Sequence, residues 1–414
     1  MGLHSDVKPY LRERFSKSVN DAIPQESCDV LICDHMWILF KFFPDDDSTG
    51  EHLVDFIWKP IERFFNAGGT TFVCVFDIPG LVPIAKAEEH KKRYGSRKDT
   101  DTVERITPTG KCSQTTLPLP WSAALADRKT RADICQYIAD GIARRFAQCH
   151  TLLKGKELFV SGVGDTVAKI TVQNEIFSKE ASTKHAAAAL IGEGDLSVAY
   201  WAQQFHDRTV IARVLDSDQI PILMLRAHIA RRSQKLYVWL VGPRRDETLK
   251  FHGYEGLPYE KHTLIDIISL NQEIGNCGIA LEEYVYWIIA QKTDFVDKIV
   301  QNLGVGATLA ALEKNPSRGI TVNASGAKCH ANRVKKSFEL AAIHGKRKRA
   351  EIRQNGAIEF RRAWWTLLYW SYGWDGPLRD ALRPTPAFGF DRLGMRTAAG
   401  INEPFPAYVC KPLV

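Results

Sequence analysis

Thr209-Val210-Ile211-Ala212-Arg213-Val214-Leu215-Asp216-Ser217-Asp218 decides how the chain folds. Its first seven residues are mostly apolar and β-branched, the composition of a buried strand. The run then stops on two aspartates, one residue apart. Carboxylates this close repel, so one must take a proton or a cation must sit between them. The same event occurs twice upstream. Val30-Leu31-Ile32-Cys33 stops on Asp34, and Phe72-Val73-Cys74-Val75-Phe76 stops on Asp77. A further acidic group, Gly192-Glu193-Gly194-Asp195, opens the helical pattern Leu196 to Phe205. Open parallel sheets bind ligands at the carboxyl ends of their strands. One acidic pocket at one edge of one sheet is therefore expected, built to hold divalent metal.

Between the first two strands, His52 to Phe65 carries apolar residues at helical spacing and Gly68-Gly69 closes it. Strand, helix and strand in that order fit a right-handed parallel crossover, hence an α/β fold with a central, mostly parallel sheet flanked by helices. Val82 to Lys98 reads as a helix with a basic flank that includes Lys86, Lys91, Lys92 and Arg93. Asp99 to Pro120 is polar and predicts a loop. After Asp218, Ile220 to Leu225 and Leu236 to Val241 read as a strand pair. Ile265 to Leu270 and Ala280 to Ala290 read as helices. Leu303-Gly304-Val305-Gly306 is a glycine turn that opens another helix.

The chain has 414 residues, 45% hydrophobic, enough for one large domain or two smaller ones. Its net charge of +7, beside concentrated aspartates, suggests an anionic partner bridged to carboxylates by metal; a solvated basic surface is the alternative. The nine cysteines show no zinc spacing and read as reduced thiols of an intracellular protein. No apolar run is long enough for a membrane span, and the charged start is no secretory signal.

The candidate metal ligands are Asp34, Asp77, Glu193, Asp195, Asp216, Asp218 and Asp294. A set of Asp and Glu without His favours Mg²⁺ or Mn²⁺ over Zn²⁺. Two such ions about 3.5–4 Å apart can serve a phosphodiester displacement. The alternative for each aspartate is a helix cap or turn. Lys86 and Arg93 lie seven apart, on one helical face, where they can meet a scissile phosphate or simply face water. Gly304 and Gly306 would let the backbone approach a phosphate.

Together these residues resemble the flap endonuclease family, structure-specific 5′ nucleases of the PIN-like superfamily. Met1-Gly2-Leu3 is similar to the family's Met-Gly-Ile start, and Val75-Phe76-Asp77 to its Val-Phe-Asp. Lys86 and Arg93 match the spacing of its catalytic lysine and arginine. Glu193-Gly194-Asp195 matches Glu-x-Glu with Asp for the second Glu, Asp216-Ser217-Asp218 matches Asp-x-Asp, and Asp294-Phe295 matches Asp-Tyr. Gly304-Val305-Gly306 is similar to the turn of its helix–two-turn–helix. The resemblance implies a nuclease core over 1–320, with an arch-like insertion at about 80–150 and the helix–two-turn–helix at about 280–315. Residues 321–414 would be a helical, aromatic-rich extension. It implies two Mg²⁺ ions, K⁺ at the helix–two-turn–helix, and DNA contacts by Gly2, Lys91, Lys92, Gly304 and Gly306. The implied activity is cleavage of DNA at 5′ flaps or 5′ ends.

Departures suggest a divergent member, with a viral one among the alternatives. Ala307 and Thr308 replace the basic residues expected after the glycine turn, and Gln291-Lys292-Thr293 replaces the usual approach to Asp294. No sliding-clamp motif is seen. Gly192-Glu193-Gly194-Asp195 is also similar to the Gly-Glu-Gly-Glu of 5′→3′ exoribonucleases, and herpesvirus host-shutoff RNases share the scaffold, so RNA stays open as substrate. So does a non-catalytic relative that binds nucleic acid. Lys346-Arg347-Lys348-Arg349 reads as a nuclear localisation signal, a phosphate patch or a solvated helix end. Trp364, Trp365, Trp370 and Trp374 read as a core face, with base stacking as the alternative.

Overall fold

The computed structural model describes the chain apart from residues 1–2, 4, 22–27, 43, 46, 78–106, 150–152, 165, 174–175, 187, 189–190, 192–193, 244–259, 294–295, 325, 346–349, 355, 373–408 and 411–414. Among the described residues, nine strands join in one sheet: β1 (Val19–Asn20), β2 (Val30–Asp34), β3 (Thr71–Val75), β4 (Glu157–Ser161), β5 (Ala168–Gln173), β6 (Ile176–Ala181), β7 (Val210–Val214), β8 (Leu236–Pro243) and β9 (Glu260–Asp266). Their order is β1-β9-β8-β7-β2-β3-β4-β5-β6.

The three strands that end on aspartates, β7, β2 and β3, are parallel neighbours, as their apolar runs predict. The sheet as a whole is mixed, not mostly parallel. Its four inner pairings, from β8 to β4, are parallel. Its four outer pairings, β4–β5, β5–β6, β8–β9 and β9–β1, are antiparallel. Connection length explains one side. Two residues separate β5 from β6 and six separate β4 from β5, too few for the crossover that a parallel return needs.

The helices are α1 (Val7–Arg14), α2 (Met36–Lys41), α3 (Gly50–Asn66), α4 (Trp121–Ala126), α5 (Arg128–Gln148), α6 (Gly194–Gln204), α7 (Gln219–Ile229), α8 (Ile267–Asn276), α9 (Leu281–Ile289), α10 (Val305–Lys314), α11 (Ala331–His344) and α12 (Gly356–Tyr372). Side chains alternate between two cores. Val30, Ile32, Val210, Ala212 and Val214 enter one with residues of α1 and α6–α12. Leu31, Cys33, Phe72, Cys74 and Ile211 enter the other with residues of α2–α5. Burial on both faces is why the inner strands read as unbroken apolar runs.

Two predicted elements are corrected. Ile220 to Leu225 is not a strand; it lies inside α7, whose residues 219–227 are all buried. A helix buried all round has no polar face and hence no 3.6-residue period, so its sequence mimics a buried strand. Pro221 fits because it is the third helical residue, where the missing N–H has no intrahelical acceptor anyway. The predicted helix from Ile265 starts at Ile267, after β9, with Asp266 Oδ1 accepting the Ser269 N–H at 3.0 Å.

Trp364 and Trp370 are 0% and 2% exposed in the same core as the strands, and α12 packs on α7 and α9. These two tryptophans are packing residues; Trp374 lies outside the described residues. Within the expected arch, residues 107–149 are described and include α4 and α5, with α5 against α3. Helices α9 and α10 bracket the expected helix–two-turn–helix, and Val300–Gln301 between them pairs with Glu351–Ile352.

Candidate functional site

Because β7, β2 and β3 run parallel and adjacent, their carboxyl ends share one edge of the sheet. Asp34 ends β2 in register with Val75, and Asp77 follows two residues after β3. Asp216 and Asp218 follow β7 on the same edge. Asp218 is only 4% exposed, and the other three are half-buried. Helix α6 packs against all three strands and begins at Gly194-Asp195.

Gly194 measures how closely the carboxylates converge. A Cβ on it would lie 2.6 Å from Asp77 Oδ1 and 3.9 Å from Asp34 Oδ1. Asp77 Oδ1 accepts the Gly194 N–H at 2.7 Å, and Asp34 Oδ1 accepts the Met36 N–H at 2.9 Å. Both carboxylates therefore gather at the amino end of α6, where unpaired N–H groups and the helix dipole favour negative charge. The start of α7 joins them, since Gln219 Nε2 donates to the Asp195 carbonyl at 3.1 Å. Asp216 Oδ1 accepts the Asp218 N–H at 3.2 Å, folding the acidic pair into a turn. Asp34, Asp77 and Asp216 thus do accept backbone N–H groups as caps do, yet Asp34 and Asp77 come together at Gly194 from separate strands and Asp216 follows β7 on the same edge.

The exit of Asp77 from the sheet is fixed by β4. Phe76 N–H donates to the Ser161 carbonyl at 2.9 Å. The next residue, Gly162, has φ +86, and a Cβ there would overlap the Phe76 carbonyl oxygen at 1.8 Å. Only glycine fits both the backbone conformation and the contact. On the other side stands Cys135 of α5. Burial pushes its thiol up to about 12, with Arg131 acting against that shift and Asp77 with it.

Other expected site residues are placed less centrally or not at all. Lys86, Lys91, Lys92, Arg93, Gly2, Glu193 and Asp294 lie outside the described residues. Among the described residues, no three His, Cys, Asp or Glu side chains meet closely enough to hold a metal ion. Gly304 caps α10 in an ordinary extended conformation. Gly306 packs closely on α1, because a Cβ there would lie 3.0 Å from Tyr10 Cδ2 and the ring would have to give by a few tenths of an ångström.

Three site residues escape the motif pattern. Gly194 looks like the spacer between two acids, yet any side chain there would push the Asp77 carboxylate from its place. His35, next to Asp34, is 1% exposed, with Nδ1 2.9 Å from the Cys33 carbonyl. Gln219 is 0% exposed, and its Oε1 has no hydrogen-bond partner among the described atoms. A sequence signal for Gln219 exists: it is the sole polar residue from 219 to 225.

Asp34, Asp77, Asp216 and Asp218 offer the oxygen donors that a hard divalent cation takes, though the described side chains do not by themselves close around one. Compared with models of known protein families and with curated proteins, the chain matches none.

Proposed function

We propose that this chain is a metal-dependent, structure-specific 5′ nuclease that hydrolyses phosphodiester bonds of DNA at 5′ flaps or 5′ ends. One observation carries the proposal: carboxylates leaving separate parallel strands, Asp34 and Asp77, converge on Gly194 at the amino end of α6, beside the acidic turn that follows β7. Asp34, Asp77, Glu193, Asp195, Asp216, Asp218 and Asp294 would hold two Mg²⁺ ions, directly or through water. Bound metal would supply the charge that activates a water and stabilises the leaving oxygen. The chain's own groups orient the set. The Gly194 and Met36 N–H groups aim Asp77 and Asp34, and Gln219 ties the start of α7 to that of α6. Lys86 and Arg93 would bear on the phosphate being cut.

A second reading, an RNA-directed 5′ nuclease, is favoured by Gly194 itself. The glycine that the carboxylates require lies in Gly192-Glu193-Gly194-Asp195, the stretch similar to exoribonucleases.

The test is cleavage with Mg²⁺, with and without EDTA, of a 5′-flap DNA, a blunt duplex DNA and a 5′-monophosphate single-stranded RNA. Chelator-sensitive cutting at the flap junction is expected. RNA cutting with little DNA cutting would select the second reading. Binding without cutting of any substrate would overturn both.

A smaller effect is expected from Gly194→Ala. The added methyl displaces the Asp77 carboxylate and breaks its hydrogen bond to the Gly194 N–H. Turnover should fall about tenfold, and stability by about 1–2 kcal/mol. Unchanged turnover in a steady-state assay would show that Asp77 need not sit where it does.

A further inference from the structure

At the other end of the parallel strands lies an open cleft of about 600 Å³, lined by residues that include Asp29, Thr70, Thr71, Lys156, Glu157 and Arg208. It is not an outlying part of the acidic edge. Asp29 precedes β2 and Asp34 ends it, so the two sites stand roughly 16 Å apart at about 3.3 Å per strand residue.

The cleft carries both signs of charge, and of its four charged side chains only Glu157 is ion-paired among the described residues. Glu157 Oε1 is ion-paired with Lys169 Nζ at 2.9 Å. Asp29 Oδ2 accepts the Thr209 N–H at 3.0 Å. The two cations have only neutral partners among the described residues. Arg208 Nη1 donates to Thr71 Oγ1 at 3.1 Å, and its guanidinium lies 5.6 Å from the Phe205 ring centroid. Lys156 Nζ reaches only the Gly68 carbonyl, at 3.5 Å. The hydroxyl and the ring hold the Arg208 fork in place before any ligand arrives, which reduces the ordering cost of binding. An arginine fork and a lysine point charge suit a phosphate group. The volume is that of a small-molecule site, more than a lone anion needs.

We infer that this cleft binds a phosphate ester of nucleotide size, with Lys156 and Arg208 holding the phosphate group. The ligand can be a free nucleotide or the end of a nucleic-acid strand, since both present the same group.

Isothermal titration of the full chain in EDTA, at fixed ionic strength, tests this. The titrants are a nucleoside 5′-monophosphate, inorganic phosphate and a short single-stranded DNA. Saturable one-to-one binding of the nucleotide is expected, weakened about tenfold or more in the double variant Lys156→Gln, Arg208→Gln. Lys335→Gln, on the exposed face of α11, should change nothing. If DNA binding weakens in the double variant as the nucleotide's does, the strand end is a ligand of the site; if only nucleotide binding weakens, the ligand is the free nucleotide. No saturable binding, or equal binding by the double variant, overturns the inference. Thermal melting without ligand shows whether the double variant folds. Should it not, Lys156→Gln alone is expected to weaken nucleotide binding about threefold, and no weakening would overturn the inference.

Discussion

Asp77→Asn is expected to lower metal-dependent cleavage by about a thousandfold or more, roughly 4 kcal/mol at the transition state. The substitution removes a negative charge and little else. Asn keeps an acceptor oxygen where Asp77 Oδ1 takes the Gly194 N–H, so the amino end of α6 stays capped. The loss in folding stability should be about 1 kcal/mol, the difference between a charged and a neutral acceptor. Substrate binding should change little, because other surfaces of the protein would carry the nucleic acid. Single-turnover cleavage and a binding titration on one preparation separate these effects. Near-normal cleavage by Asp77→Asn would remove this residue from the catalytic set and leave it as a helix cap. The contrast with Gly194→Ala is informative, since that variant keeps the charge and loses only its position.

The second large effect concerns His35 and pH. Its ring lies among Phe72 and Phe76, with centroids 6.0 and 5.3 Å away. Burial holds its pKa down to about 4; the hydrogen bond to the Cys33 carbonyl opposes this, and the positive charge of Arg213 reinforces it. Unfolded, the imidazole titrates near 6.5. The unfolded chain therefore binds the proton more readily. The stabilisation from a neutral His35 is complete above about pH 6.5 and is lost as pH falls toward about 4. The gap between these values is worth about 3 kcal/mol. Urea unfolding without divalent metal should show wild type losing that much more stability than His35→Gln between about pH 7 and about pH 4. Carboxylates titrate in both proteins, so the difference isolates His35. Parallel pH curves would mean that the ring is already accessible to protons in the folded state.

The acidic edge was legible because its signal is one-dimensional. An apolar run ending on Asp34, Asp77 or Asp216 states both a buried strand and a charge at its end, and parallel pairing brings those ends together. What could not be read depends on burial from several directions. The strand-like run in α7 is a helix because neighbours cover all its sides, which erases the period that would have revealed it. The antiparallel strands β5 and β6 follow from short connections, a weaker signal than composition. Gly194 and Gly162 are fixed by atoms distant in sequence, the Asp77 carboxylate and the Phe76 carbonyl. No local pattern announces such a contact. Gln219 was the exception, a lone polar residue in an apolar run.

The sealing of α7 has a mechanical consequence. Over residues 219–227 the helix has no wet face and cannot fray toward solvent, so those amides should exchange hydrogen only when much of the core opens with them. The acidic pair Asp216 and Asp218 is thus anchored to the buried amino end of a slowly opening helix. One wall of the site behaves as a fixed jaw, and any adjustment to a bound strand falls to the opposing elements.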